Sequence, residues 1–396
     1  MNSIVNILIP VLTAFMRLLY RIMKFGRVNP RSVVFLSRQS DEPSSDFKAL
    51  IRALGSSAET VTLTKRQEKS GAGLLKNAPK DLCMLLRQMK AIARAAVVVT
   101  DGYSLPVSCL RHREELTVIQ IWHAIGAIKK FGLQTLENPL APESVRKRNR
   151  LLHMHEGYRF AVAPSKRTAG FFAEAFGLEA GSVLVTGTPF LDHLHSANQA
   201  GPDETTRSAV FAAHPALARA AGEGKHIILY LPTYREHRHT EWSGLAAALD
   251  QGAFRLAVKL HPIEAGAANA AGSDAADGAV LLGSEFSAEE LLCVADAVVT
   301  DYSNVAFSAA LSGIPLFFYL SDGAEYREYP GLNIDIETEY AAYAASDAAK
   351  LARIIADAFN DGYDAPYEAA FASRYIETFD GRCTGRLRDL ILSSLR

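Results

Sequence analysis

Val118-Ile119-Gln120-Ile121-Trp122-His123-Ala124-Ile125-Gly126-Ala127-Ile128-Lys129-Lys130-Phe131-Gly132 decides how this chain is read. It opens as an apolar, β-branched run, the mark of a buried strand. It then gives a Trp–His pair, a glycine and two lysines. Open α/β sheets hold their ligands at the carboxyl ends of the strands, and His123 stands at such an end with Trp122 beside it. A neutral imidazole there can take a proton near pH 7. Gly126 would let the backbone approach a phosphate, and Lys129 or Lys130 would offset its charge. The same residues also suit a histidine hydrogen-bonded at the edge of the core, followed by a solvated lysine pair.

Working outward, apolar strands alternate with helices on both sides of this stretch. Strands are expected over 32–37, 60–63, 96–100, 160–165 and 183–189. Helices are expected over 46–54, with Ser44 or Ser45 as N-cap, over 81–94, and over 166–176, ended by Gly177. A polar, Ala-rich segment over 196–224 is expected to carry the change of domain. A second series follows, with strands over 227–235, 254–262, 279–282, 297–304 and 315–319, and helices over 345–359 and 373–395. Residues 265–278 read as a solvated loop. The alternation predicts an α/β protein with parallel, doubly wound sheets.

The chain has 396 residues, 49% of them hydrophobic and 21% charged, which suits two globular domains. A formal net charge of -1 gives no basic excess to neutralise phosphates, so nucleic acid is not expected as a partner. Cys83, Cys109, Cys293 and Cys383 form no CxxC, which argues for a reducing compartment without disulfides or zinc. The pairs His153/His155, His193/His195 and His237/His239 are spaced to share a strand face. No carboxylate or cysteine set completes a tetrahedral site around them, so no metal and no cofactor is expected. The basic run Arg146-Lys147-Arg148-Asn149-Arg150 fits a solvated helix face or an anionic surface. No Walker A, G-x-S-x-G or post-strand G-x-G-x-x-G is present, which disfavours P-loop enzymes, α/β-hydrolases and simple NAD dehydrogenases.

The N-terminus stands apart. Residues 4–16 carry no charge and are mostly apolar, and Arg17, Arg21, Lys24 and Arg27 follow among apolar neighbours. The run is shorter than the roughly 20 residues that span a bilayer. It has neither the charged start nor the A-x-A site of a cleaved signal, and Pro10 would kink or start a helix. The pattern suits a helix lying on a membrane with its basic residues at anionic headgroups, or a packed N-terminal core helix.

Three strand ends in the second half carry polar residues in one topological place. Pro232-Thr233-Tyr234-Arg235 offers an arginine that can fork two phosphate oxygens or lie at the surface. Lys259-Leu260-His261-Pro262 puts Lys259 and His261 on one side of a strand, with His261 a base, a cation facing phosphate, or a core histidine. Asp301-Tyr302-Ser303-Asn304 precedes a helix that Ser303 or Asn304 would cap, and its free N–H groups would suit an anion.

Taken together, these motifs resemble the CDP-glycerol glycerophosphotransferases of teichoic-acid synthesis. The matching residues are Ile121-Trp122-His123 with Lys129-Lys130-Phe131-Gly132, Leu231 to Glu236, Lys259 to Pro262, and Thr300 to Asn304. Ser37-Arg38-Gln39-Ser40 and Asp380-Gly381-Arg382-Cys383-Thr384 also match, so the likeness spans roughly 31–388. It implies a GT-B architecture: a membrane-associating segment over 1–28, an acceptor domain over 29–205 and a CDP-donor domain over 206–396, two Rossmann-like domains facing across a cleft. It implies CDP-glycerol or another CDP-polyol as donor, a lipid-linked glycan as acceptor, and a peripheral place on the cytoplasmic face of the membrane. His123 matches the histidine acting as base on the acceptor hydroxyl, and His261 the second essential histidine near the donor phosphates. Thr233, Tyr234, Arg235, Lys259, Ser303 and Asn304 fall on nucleotide- and phosphate-binding motifs. Gly187-Thr188-Pro189-Phe190-Leu191-Asp192 departs from the family pattern, with Phe190 where an arginine is usual. A GT-B glycosyltransferase using a nucleotide sugar, and a non-catalytic membrane-bound binding protein, remain the other readings.

Overall fold

The computed structural model describes residues 2–66, 72–201, 203–233, 235, 242–260 and 278–395, without the side chains of 2–8 and 72–77. Two compact units result, 1–193 with 376–396, and 194–375.

The first unit is built on six parallel strands: β1 (Ser32–Ser37), β2 (Glu59–Thr64), β3 (Val97–Thr100), β4 (Thr117–Gln120), β5 (Phe160–Ala163) and β6 (Val183–Val185), in the order β2-β1-β3-β4-β5-β6. β1, β3 and β4 are buried along their whole length. Helices cover both faces of such a sheet, which is why these strands read as unbroken apolar runs rather than as alternating ones. On one face Val34, Leu36, Val98 and Val118 pack with Met89, Phe172 and Phe176. On the other, Val33, Phe35, Val97 and Ile119 pack with Phe47, Leu50, Leu387 and Ile391.

The second unit carries β7 (His226–Leu231), β8 (Phe254–Lys259), β9 (Ala279–Leu282), β10 (Ala297–Thr300), β11 (Leu316–Tyr319) and β12 (Ala344–Ala345), also parallel, in the order β12-β11-β10-β7-β8-β9. Renumbered from β7, this is the dinucleotide-fold order 3-2-1-4-5-6, whereas the first sheet follows the flavodoxin-like order. Both sheets therefore have a switch point where the winding reverses: between β1 and β3 in the first, between β7 and β10 in the second.

The domain boundaries differ from those expected. The chain leaves the first unit inside the helix Pro189–Ala200, and 204–222 folds into two helices of the second unit rather than a linker. The tail from Ile376 belongs to the first unit, not the second. Asp192 explains why: its carboxylate accepts from the N–H groups of Cys383 (2.8 Å) and Thr384 (2.7 Å), which open the last helix, Cys383–Ser393. Gly187, at φ 68°, completes the seat, since a Cβ there would meet Cys383 Sγ and Thr378 Oγ1 at 2.5 Å.

Strand and helix ends otherwise follow the expected pattern within a few residues. Ser44 is the cap of α2 (Ser45–Leu54), accepting from Phe47 N, and Gly177 ends its helix in the left-handed region. The helix expected to start at 81 begins earlier, as α3 (Ala72–Ile92). The loop expected over 265–278 lies outside the described residues apart from its last residue.

The N-terminal segment is one helix, α1 (Asn2–Met23), with Pro10 inside it. The packed-helix expectation is met on one of its faces. Thr13, Met16 and Tyr20 are buried in the first unit, and Val11, Phe15, Leu18 and Ile22 are exposed. Among the described residues no helix is long and apolar enough to cross a membrane.

Candidate active site

In the first unit β4 delivers the Trp–His pair to the carboxyl edge. Ile121 N still bonds Thr100 O across the ladder at 2.8 Å. Trp122 then turns the chain with φ 57°, a conformation that costs an aromatic residue energy and clusters at functional sites. The Gln120 side chain holds the turn by accepting from Trp122 N at 2.9 Å. Trp122 is wedged between His123 (ring centroids 4.2 Å apart) and Phe131, on which it stacks at 4.9 Å.

His123 Nδ1 lies 2.9 Å from the backbone carbonyl oxygen of Asp101, at the end of β3. A carbonyl can only accept, so in the neutral ring Nδ1 carries the proton and Nε2 keeps its lone pair. The Gln39 amide is 3.4 Å from the same Nδ1. His123 is exposed at one edge, yet the surrounding protein desolvates the ring and lowers its pKa from 6.5, with the Asp101 carbonyl bond opposing. Its base form is thus the one present at neutral pH. Asp101 is itself buried, and burial pushes its carboxyl up to about 6 while a Ser37 hydrogen bond pulls the other way.

Gly126, expected to let the backbone approach a phosphate, is buried between Ile125 and Ala127 and has no left-handed φ. The glycine this loop requires is Gly132, at φ 57°, where a Cβ would come within 2.3 Å of the Ala175 carbonyl oxygen. Lys129 is half-buried and already engaged, and Lys130 is exposed. His153 and His155 are spoken for locally. Arg17 and Glu156 hold His153, each at 2.9 Å. His155 packs on Trp122 and bonds the Tyr158 hydroxyl at 3.2 Å, and burial, then the neighbouring His123, drive its pKa down to about 4. Among the described residues no group of His, Cys, Asp and Glu is arranged to hold a metal.

In the second unit the switch point is closed by Asp301. Its carboxylate accepts from Thr233 N (2.9 and 3.0 Å), Thr233 Oγ1 (2.6 Å) and Tyr302 N (2.5 Å), tying the end of β7 to the end of β10. Arg235 donates to Asp301 at 2.8 Å, to both oxygens of Asp322 at 2.6 and 2.9 Å, and to the Thr233 carbonyl at 2.5 Å. Four hydrogen bonds are thus made by a guanidinium with five N–H donors. Burial alone would lower its pKa, but Asp322 and Asp301 hold it far above the ordinary value. Arg235 is therefore not the phosphate fork expected from the sequence; it is the counter-ion of two buried carboxylates. Asp322 carried no sequence signal for this role.

Lys259 Nζ donates to the Gly283 carbonyl at 2.8 Å and is half-buried. Desolvation lowers its pKa, against the pull of Glu285, Glu289 and Glu290. Ser303 Oγ is 3.4 Å from Val305 N, and Asn304 does not cap the helix Val305–Leu311 through its side chain. Tyr234, His261 and the pair His237/His239 lie outside the described residues. The structure thus brings Trp122 and His123 together at one sheet edge, and Thr233, Arg235 and Asp301 together at the other. Sequence reasoning missed the role of the Asp101 carbonyl, although it lies at a strand end flanking the first switch point.

The family model for CDP-Glycerol:Poly(glycerophosphate) glycerophosphotransferase matches residues 18–393. The chain is 27% identical to the teichoic acid ribitol-phosphate primase of Bacillus spizizenii over 371 residues, covering 92% of this chain and 91% of that protein. It is also 27% identical to the teichoic acid glycerol-phosphate primase of Bacillus subtilis, over 78% of this chain and 76% of the relative. In fold it is similar to the wall teichoic acid polymerase TagF, with TM-score 0.66 at 18% identity over 100% of this chain and 97% of that one. A Staphylococcus aureus MnaA–UDP co-structure follows at TM-score 0.56 and 14% identity, over 91% and 96%. With a match of this extent, the chain belongs to the CDP-glycerol:poly(glycerophosphate) glycerophosphotransferase family and is an enzyme that transfers polyol phosphate from a CDP-activated donor.

Proposed function

We propose that the chain transfers glycerol phosphate or ribitol phosphate from its CDP donor to a hydroxyl of a lipid-linked glycan acceptor, in the synthesis of teichoic acid or a related surface polymer, and releases CMP. The observation that carries this reading is His123, held by the Asp101 carbonyl so that Nε2 is the free base. In the step, Nε2 takes the hydroxyl proton and the acceptor oxygen bonds to the phosphorus that bears the polyol. The bond from that phosphorus to the bridging oxygen breaks, and CMP leaves with that oxygen. General-base assistance of this kind contributes roughly 10²–10⁴-fold. Lys259, Ser303, Asn304, Tyr234 and His261 are the candidates on the donor side, and Trp122 and Lys129 on the acceptor side. Arg235 and Asp301 act there by shaping the loop rather than by touching phosphate.

Peripheral attachment to the cytoplasmic face of the membrane is part of the proposal. Phe15, Leu18 and Ile22 are 62%, 59% and 59% exposed along one line of α1, and Phe25 beyond it is 87% exposed. Exposed Arg21 and Arg27 flank them, and Lys147, Arg148 and Arg150 are exposed on the helix Glu143–Leu151, which packs on α1. An apolar stripe with a basic margin is the composition of a helix lying in the headgroup region.

The test is CMP release from CDP-glycerol and from CDP-ribitol, with and without a lipid-linked disaccharide. Release from one donor, dependent on acceptor, is the expected result, and the length of the product separates one addition from polymerisation. No release from either, with stabilisation by a uridine nucleotide instead, would overturn the proposal in favour of a nucleotide-sugar donor.

A further inference from the structure

The switch point of the first sheet holds more than His123. Between β1 and β3 lies a cavity of about 370 Å³, within the size range of sites that bind small molecules. Its wall is largely apolar, formed by Leu36 of β1, Leu82 and Leu85 of α3, Leu105 and Pro106 after β3, and Leu12 of α1. Leu12 sits on the helix that also carries the exposed apolar line, so the cavity and that line share one element.

The other end of the cavity is polar, and Arg38 lines it. This guanidinium is half-buried and has no carboxylate partner among the described residues; it lies over the Tyr103 ring, 5.4 Å from its centroid. The other cation of the lining, Lys65, is paired with Asp81. A desolvated cation without a counter-ion is costly, and a guanidinium in that state favours a forked phosphate. Arg38 is also one residue from Gln39, whose amide lies 3.4 Å from His123 Nδ1, and one from Ser37, which lines the same cavity. The turn after β1 thus lines the polar end of the cavity and also approaches His123, which follows β4.

We infer that this cavity is the lipid subsite of the acceptor: the apolar chain enters between α1 and α3, and Arg38 binds the phosphate at its head. The inference rests on the reading above that the acceptor is lipid-linked. A sugar or peptide alone would leave the apolar wall unused, and a free anion would use Arg38 but not the wall.

The experiment measures equilibrium binding of farnesyl monophosphate, below its micelle concentration, to the full chain without donor. Farnesol and inorganic phosphate are the comparison ligands. Arg38→Gln, Leu85→Trp and Leu82→Asp are the variants, with circular dichroism as the check on folding. Leu82 is 52% exposed, so its variant folds even if the bulkier change at Leu85 does not. The expected result is one site per chain for farnesyl monophosphate, weakened about 10-fold or more by each folded variant, and no measurable binding of phosphate alone. Equal binding of inorganic phosphate, equal binding of farnesol with no effect of Arg38→Gln, or no effect of either leucine variant would each overturn it. Because no donor is present, failure here with CMP release intact removes the subsite alone. Binding here with no CMP release removes the transfer reaction instead.

Discussion

His123 owes its readiness to a backbone carbonyl. The Asp101 oxygen fixes which nitrogen holds the proton, and partial desolvation keeps the ring neutral. The expected pH profile follows from the sign of that shift. With a pKa below 6.5, the base is fully present at pH 7, so kcat/KM is flat there and falls on an acid limb lying below 6.5. His123→Ala should lower kcat roughly 10²–10⁴-fold while donor binding, followed by thermal shift, persists; wild-type turnover would remove it as the base. Arg235 makes the opposite case. Its side chain is 8% exposed, between Asp301 and Asp322 at 0% and 4%. Arg235→Ala leaves two buried carboxylates without a counter-ion, so about 3–5 kcal/mol of stability should be lost in urea unfolding. An arginine that only bound donor phosphate would weaken donor affinity and leave the urea midpoint in place. Asp322 lies 87 residues further along the chain, and no local pattern at Pro232-Thr233-Tyr234-Arg235 reveals that the guanidinium is already taken.

At the scale of elements, what was legible was whatever a local pattern encodes. Fully buried parallel strands are apolar on both faces, so β1, β3, β4 and β10 stand out without any partner being known. Ser44 and Gly177 mark helix ends because unsatisfied backbone groups there need a side-chain acceptor or a left-handed residue. Strand order is not encoded locally, which is why the difference between the two sheets, and with it the first switch point, emerged only from the structure. α1 was legible as a helix with two competing readings, on a membrane or in the core, and not as one with a buried and an exposed apolar face. Its exposed residues Val11, Phe15, Leu18 and Ile22 follow a 4-3-4 spacing, and its buried residues Met16 and Tyr20 are 4 apart. The two faces should respond differently to one kind of change. Phe15→Glu with Leu18→Glu should abolish co-sedimentation with anionic vesicles and leave the melting temperature unchanged. Met16→Glu should lower the melting temperature, because it buries a charge without a partner. Vesicle binding by the double variant equal to wild type would remove α1 as the membrane contact.

For the whole molecule the decisive fact is that the first unit is made from two separate lengths of chain. The tail was read as part of the second domain because it follows it; sequence order carries no information about which core an amphipathic helix will cover. Its address is written instead in Asp192, which receives the amides of Cys383 and Thr384, and in Pro164, whose carbonyl accepts from Glu377 N and Thr378 N at 2.9 and 3.1 Å. Leu387 and Ile391 then close the apolar layer over Val33, Phe35 and Val97. Leu387→Ala should therefore cost about 2–5 kcal/mol, the ordinary range for removing a fully buried leucine. The loss should be confined to the first unit, appearing in hydrogen exchange as faster exchange of the amides of β1 and β3. Protection of β7, β10 and β11 should hold, because the second core, around Ile228, Leu256, Val299 and Phe317, contains no residue of the tail. Faster exchange in β10 and β11 with β1 and β3 unchanged would return the tail to the second unit. The tail closes the sheet whose edge carries His123, so loss of the tail should abolish CMP release without touching that residue.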